Sequence, residues 1–195
     1  MSALQVTPPS QTGHMDIDKQ VRTLFAIANQ ILFSKQLEES PNQFRSALSF
    51  FVAYLDYHFA SQEVAMAGSR YPAGRIHSDF HAYVLHEASA IRERARREGI
   101  SVEARHTLLY MVEDWLYYHV KESDREFAEF LSETSAKQDV PRLPGISDLR
   151  AAGWLPRDVD DQVLKQLAEM GHAETSMPRC SDVQVLRMDG GATSL

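Results

Sequence analysis

Ile76-His77-Ser78-Asp79-Phe80-His81-Ala82-Tyr83-Val84-Leu85 sets two imidazoles one helical turn apart on a stripe that is otherwise apolar. A step of four keeps both side chains on one helix face, offset by about 40°. The stripe, Ile76, His77, Phe80, His81, Val84, Leu85 and Ile91, predicts a helix from near Pro72 to Gly99. The same pattern appears on either side of it. Upstream, His58 and Gln62 interrupt the stripe Phe44, Leu48, Phe51, Leu55 and Met66, in a helix expected from near Pro41 to about Gly68. Downstream, Ser101 is an expected N-cap with Glu103 in the first turn. The helix it opens carries Leu108, Val112, Trp115, Leu116, His119, Phe127 and Phe130 inward. Asp124 follows His119 by five residues, with a short side chain able to reach the same interior. A first helix, from about Asp16, buries Val21, Leu24, Phe25, Ala28, Ile31 and Leu32.

Four long amphipathic helices with short connections make neighbours antiparallel, so the expected fold is an all-α, up-down-up-down four-helix bundle over residues 14–135. Pro141, Pro144, Gly145, Gly153 and Pro156 then end regular helix. Residues 136–195 read as a C-terminal extension. It has one short helix around Asp158 to Met170, with Val159, Val163, Leu164 and Leu167 on one side, and a partly disordered tail from Gly171.

Composition narrows the function. Hydrophobic residues at 44% and charged residues at 24% are the balance of a globular protein. A formal charge of -7 argues against nucleic acid, which requires a basic face. No apolar run reaches the roughly 18 to 20 residues that span a bilayer, so no membrane partner is expected. Met1 to Gln11 is polar and lacks the layout of a secretory signal. The single cysteine, Cys180, permits no internal disulfide and fits a reducing, cytoplasmic setting.

Polar groups within core stripes carry the chemical information. A buried imidazole or carboxylate is costly unless paired, hydrogen-bonded or bound to metal. One core histidine is more often a satisfied structural residue than a ligand. Four inward histidines and an aspartate on three adjacent helices favour a metal site, and bundle cores commonly hold one. His86, His106, His14 and His172 fall off these faces and are expected in solvent. Trp115, one turn before His119, is expected to wall the pocket or equally to serve as plain core packing, while Met66, Phe59 and Phe80 read as core.

With these residues in place, residues 14–131 resemble the bacterial members of the hemerythrin family. The resemblance runs through Asp16-Ile17-Asp18-Lys19-Gln20, His58-Phe59 with Glu63 and Met66, Tyr71-Pro72, His77 with His81, and Trp115-Leu116 before His119 and Asp124. It implies a two-iron site built from five histidines and two bridging carboxylates. His77, His81 and His119 match the three-histidine iron, Asp124 the bridging aspartate, and His58 one histidine of the second iron. Two positions depart from that pattern: Val21 stands where the family's first histidine falls, and Gln62 where the bridging glutamate falls. An amide offers one neutral oxygen in place of two anionic ones. Glu63 is adjacent but turned about 140° from His58 on a regular helix. Both losses strike the same half of the cluster.

The expectation is therefore an incomplete, mononuclear site with His77, His81, His119 and Asp124 as metal ligands and His58 and Gln62 at its margin. Iron suits imidazole and carboxylate, with manganese or zinc as further candidates. Dioxygen, nitric oxide or another small diatomic is the expected partner, in a binding or sensing role with no catalytic residue assigned. The alternative is a metal-free bundle acting through protein contacts, with the C-terminal extension and Trp154 as its contact surface.

Overall fold

The structure is a computed structural model that describes residues 8–99 and 101–134. Helix α1 (Met15–Phe33) leads through a one-turn helix α2 (Lys35–Glu39) into α3 (Pro41–Ser69) and α4 (Gly74–Glu98). The fourth long helix is continuous but not uniform. It runs through α5 (Val102–Tyr110), a π-helical stretch Met111–Leu116, α6 (Tyr117–His119), a second π-helical stretch Val120–Asp124, and α7 (Arg125–Glu133). α1 packs on α3, α3 on α4, and α4 and α1 on the fourth helix, closing a ring of four around one core. The described residues thus form the all-α bundle that the stripes predict. The extension, its short helix and its tail lie outside the described residues, as does His172.

Local chemistry accounts for the helix ends. Ser101 caps the fourth helix by accepting the Ala104 N–H at 3.0 Å. Pro41 opens α3, where its missing N–H costs nothing. α3 stops at Arg70, whose left-handed backbone (φ 56°) lets the Tyr71 N–H reach back to the Met66 carbonyl at 2.9 Å. Arg105 stitches the far end of the bundle: its Nη1 donates to the Leu32 carbonyl at 3.0 Å, and its guanidinium lies over the Phe44 ring. α2 breaks the expected α1–α3 connection because Ser34 accepts the Leu37 N–H and nucleates a separate turn.

The stripes of α1 and α3 are buried throughout. α4 departs at one position. Ile76, expected inward, is 71% exposed, because it lies one residue off the His77–His81 line in the opening turn of the helix. Leu85 and Phe80 are half-buried and lean on the core from its edge.

Candidate metal centre

α4 delivers His77 and His81 to the interior at the expected step of four, both buried. His119 and Asp124 come from the fourth helix. On a regular helix a step of five turns a side chain by about 140°, the same offset that separates Glu63 from His58. The π-helical turn Val120–Asp124 removes that offset: its wider i→i+5 spacing brings Asp124 back beneath His119, and the carboxylate is fully buried. α3 remains regular around Glu63, so that carboxylate stays turned away from His58.

Ligand atoms of His77, His81, His119 and Asp124 all lie within 4.8 Å of one another. His119 Nε2 is 3.0 Å from His77 Nε2, 3.1 Å from His81 Nε2 and 3.1 Å from Asp124 Oδ1. His77 Nε2 is 3.2 Å from the same carboxylate oxygen. A ring nitrogen has one in-plane site, filled by a proton or a lone pair. His119 Nε2 can therefore satisfy one of its three close neighbours and leaves the others unmatched. The approaches to Asp124 are short, and among the described residues neither of its buried oxygens has a hydrogen-bond partner of normal geometry. Such a group of converging, unsatisfied atoms is costly unless a cation sits among them.

Protonation favours the same use. Burial pushes His81 well below its ordinary value, helped by His119 and His77. Burial alone would raise Asp124, but His119, His77 and His58 outweigh it and hold the carboxyl well below the usual range. A neutral imidazole and an anionic carboxylate are the forms that bind metal.

His58 and Gln62, the other two expected site residues, are fully buried but arranged differently. His58 Nδ1 donates to Gln20 Oε1 at 2.6 Å, and its Nε2 accepts from Gln62 Nε2 at 3.3 Å. Ser61 Oγ also donates to Gln20 Oε1, at 3.2 Å. These contacts specify one neutral tautomer and use both ring nitrogens. Burial outweighs the nearby Asp124 carboxylate and lowers His58 to about 4. His58 Nε2 is 3.9 Å from Asp124 Oδ2, at the edge of the four-residue cluster. Val21 is buried and lines a cleft of about 260 Å³ with Pro8, Pro9, Arg22 and Val120.

Ring stacking encloses the cluster. Phe59 stacks on His81 at 4.0 Å, and Phe80 stacks on His119 at 4.5 Å. Both residues are core packing and site wall together. Trp115, expected in that role, is half-buried and meets Tyr83 and Tyr110 instead. The π-helical stretch Met111–Leu116 resets the helical phase ahead of His119, so four residues no longer return to the same face. His86 and His106 are exposed as expected. His14 is half-buried rather than exposed, and its Nδ1 has no hydrogen-bond partner among the described residues.

Three contributions escaped the sequence reading. Gln20, which holds His58, lies three residues after Ile17 and four before Leu24, so the α1 stripe could have flagged it. Asp18 binds the preceding segment, accepting from both the backbone N–H and Oγ1 of Thr12. Glu63 meets His81 Nδ1 at 3.1 Å, a contact between helices that no spacing within α3 reveals.

Comparison with known proteins agrees with the geometry. No solved structure matches the chain. A bacteriohemerythrin from Ralstonia nicotianae is 28% identical over 102 residues, covering 52% of this chain and 73% of that protein. Residues 13–131 match the model of the hemerythrin HHE cation-binding domain, and this span takes in the four long helices to within two residues of the last one's end and every residue of the buried cluster. A ring of four helices around inward histidines, with this match over more than half its length, makes the chain a member of the hemerythrin family.

Proposed function

We propose that His77, His81, His119 and Asp124 hold a single iron ion and that the protein binds or senses a small diatomic such as dioxygen or nitric oxide. The observation that carries this reading is the convergence of three Nε2 atoms and a carboxylate oxygen with too few protons among them. Three imidazoles and one carboxylate would suit iron or manganese chemically.

Iron in this position supplies open coordination sites and a change of redox state. The chain supplies the rest. Phe59 and Phe80 exclude water and fix two ligand rings. Gln20 and Gln62 hold His58 neutral beside Asp124, so this side presents a polar wall in place of a second ligand set. A single ion cannot supply two electrons as an iron pair does, so sensing of nitric oxide, oxygen or redox state suits this ligand set better than bulk oxygen carriage. The single cysteine fits a reducing cytoplasm.

Metal analysis of freshly purified protein tests the proposal, together with visible spectra before and after azide or nitric oxide. One tightly held iron per chain and a charge-transfer band that responds to azide are expected. Two irons per chain would refute the mononuclear site. A colourless protein whose thermal stability ignores added iron would point to the metal-free, protein-contact alternative, because an ion bound only by the folded state must raise stability.

A further inference from the structure

We propose that Glu63 is a positioning carboxylate for His81: it fixes which nitrogen of that imidazole faces the cluster and makes it the most electron-rich of the three histidine ligands. The assignment rests on the metal reading above.

Glu63 Oε1 lies 3.1 Å from His81 Nδ1. A carboxylate only accepts, so Nδ1 carries the proton and Nε2 is left with its lone pair toward His119 and the cluster. Among the described residues the other two histidines have no such support: Nδ1 of His77 and Nδ1 of His119 are buried without a hydrogen-bond partner there. His81 is thus held on its edge by Glu63 and on its face by Phe59, whose ring is nearly parallel to it (10°). α3 supplies both holders from consecutive turns. The 140° rotation that removes Glu63 from the His58 side aims it at α4 instead. Glu63 remains 43% exposed, so it links a fully enclosed ligand to the surface of the bundle. A carboxylate behind a ligating imidazole orients the ring and raises its basicity. Because one histidine of three receives this support, the donor set is unequal, and His81 contributes most to the stability of the oxidised ion.

The test compares full-length Glu63→Ala and Glu63→Gln with the parent. Iron affinity is measured by chelator competition, the iron midpoint potential by redox titration, and the His81 tautomer by nitrogen NMR of the metal-free chain. In Glu63→Ala, iron affinity should fall about 10- to 100-fold, the potential should rise, and His81 should lose its preference for a protonated Nδ1. Glu63→Gln keeps an accepting oxygen but no charge. It should restore the tautomer and much of the affinity while the potential stays raised, a split that a merely structural role would not produce. Unchanged thermal unfolding of both metal-free variants would confirm that folding is not the cause. A tautomer, affinity and potential that all match the parent in Glu63→Ala would overturn the proposal. A parent chain that binds no iron would instead overturn the metal reading, while a tautomer that still follows Glu63 would support the pairing itself.

Discussion

Two halves of one buried polar cluster meet at Asp124, and they solve the same physical problem in opposite ways. On one side, His77, His81, His119 and Asp124 crowd together with unmatched lone pairs and orphaned carboxylate oxygens. On the other, His58 is fully paired, donating to Gln20 and accepting from Gln62. The first half would stay costly without a cation among its atoms, whereas the second satisfies its imidazole with protein atoms alone. Gln62, at the position where the resemblance implies a bridging carboxylate, offers no anionic ligand but does supply the donor that His58 Nε2 accepts. The contrast gives a rule for reading buried histidines: residue type matters less than whether each ring nitrogen already has a partner.

The largest effect should come from breaking the crowded half. His81→Ala should lower iron retention by at least about 100-fold, since losing a ligand exceeds the 10- to 100-fold cost of losing its outer partner. Metal analysis after chelator dialysis reads this directly, and His58→Ala, made alongside, should leave the iron content nearly unchanged. Rebuilding the paired half should have the converse effect. Val21→His combined with Gln62→Glu restores the ligand types of the family's second iron, and metal content should rise from one ion per chain toward two. If it stays at one, the second site has been lost through backbone geometry as well as through side-chain chemistry.

Acid should separate the halves without mutation. His58 titrates near 6.5 in an unfolded chain but is lowered to about 4 here. Between those values the unfolded state binds more protons, so stability of the metal-free protein falls as pH drops from about 6.5 to about 4. The loss is about 3 kcal/mol in all. His81 acts in the same direction. Asp124 acts below this window: its depressed value adds stability above the ordinary carboxylate range, which is lost on further acidification. Denaturant titrations across pH should show the upper slope, and His58→Gln should flatten it. The smallest effect is expected at Gln20→Leu, which strips the acceptor from His58 Nδ1. It should cost about 1–3 kcal/mol of stability for an unpaired buried donor, with iron content unchanged.

Regular helix geometry determined how much of this the sequence reveals. Steps of four on one α-helical face made His77 with His81, and His58 with Gln62, legible, and the apolar stripes of α1 and α3 proved buried throughout. Where the fourth helix widens, the same arithmetic misplaced Trp115, which turns toward Tyr83 and Tyr110. It also explained Asp124 only by the shortness of its side chain, when the backbone itself makes the adjustment. Glu63 illustrates a second limit. Its rotation away from His58 was calculable within α3, but its meeting with His81 depends on how α3 and α4 pack. Gln20 was legible in principle, being a polar residue in register with Ile17 and Leu24.

The wide turn between His119 and Asp124 also constrains how this molecule can change. One surplus residue is absorbed there between two fixed side chains, so the interval tolerates length change in one direction only. Deleting a single position such as Lys121 would let the wide turn close to a regular α-turn, with Asp124 four residues after His119 on the same face and buried Phe127 still in phase. One further inserted residue would find no spare turn to absorb it and would swing everything beyond by about 100°, whereas substitutions at exposed Lys121 and Glu122 leave the phase untouched.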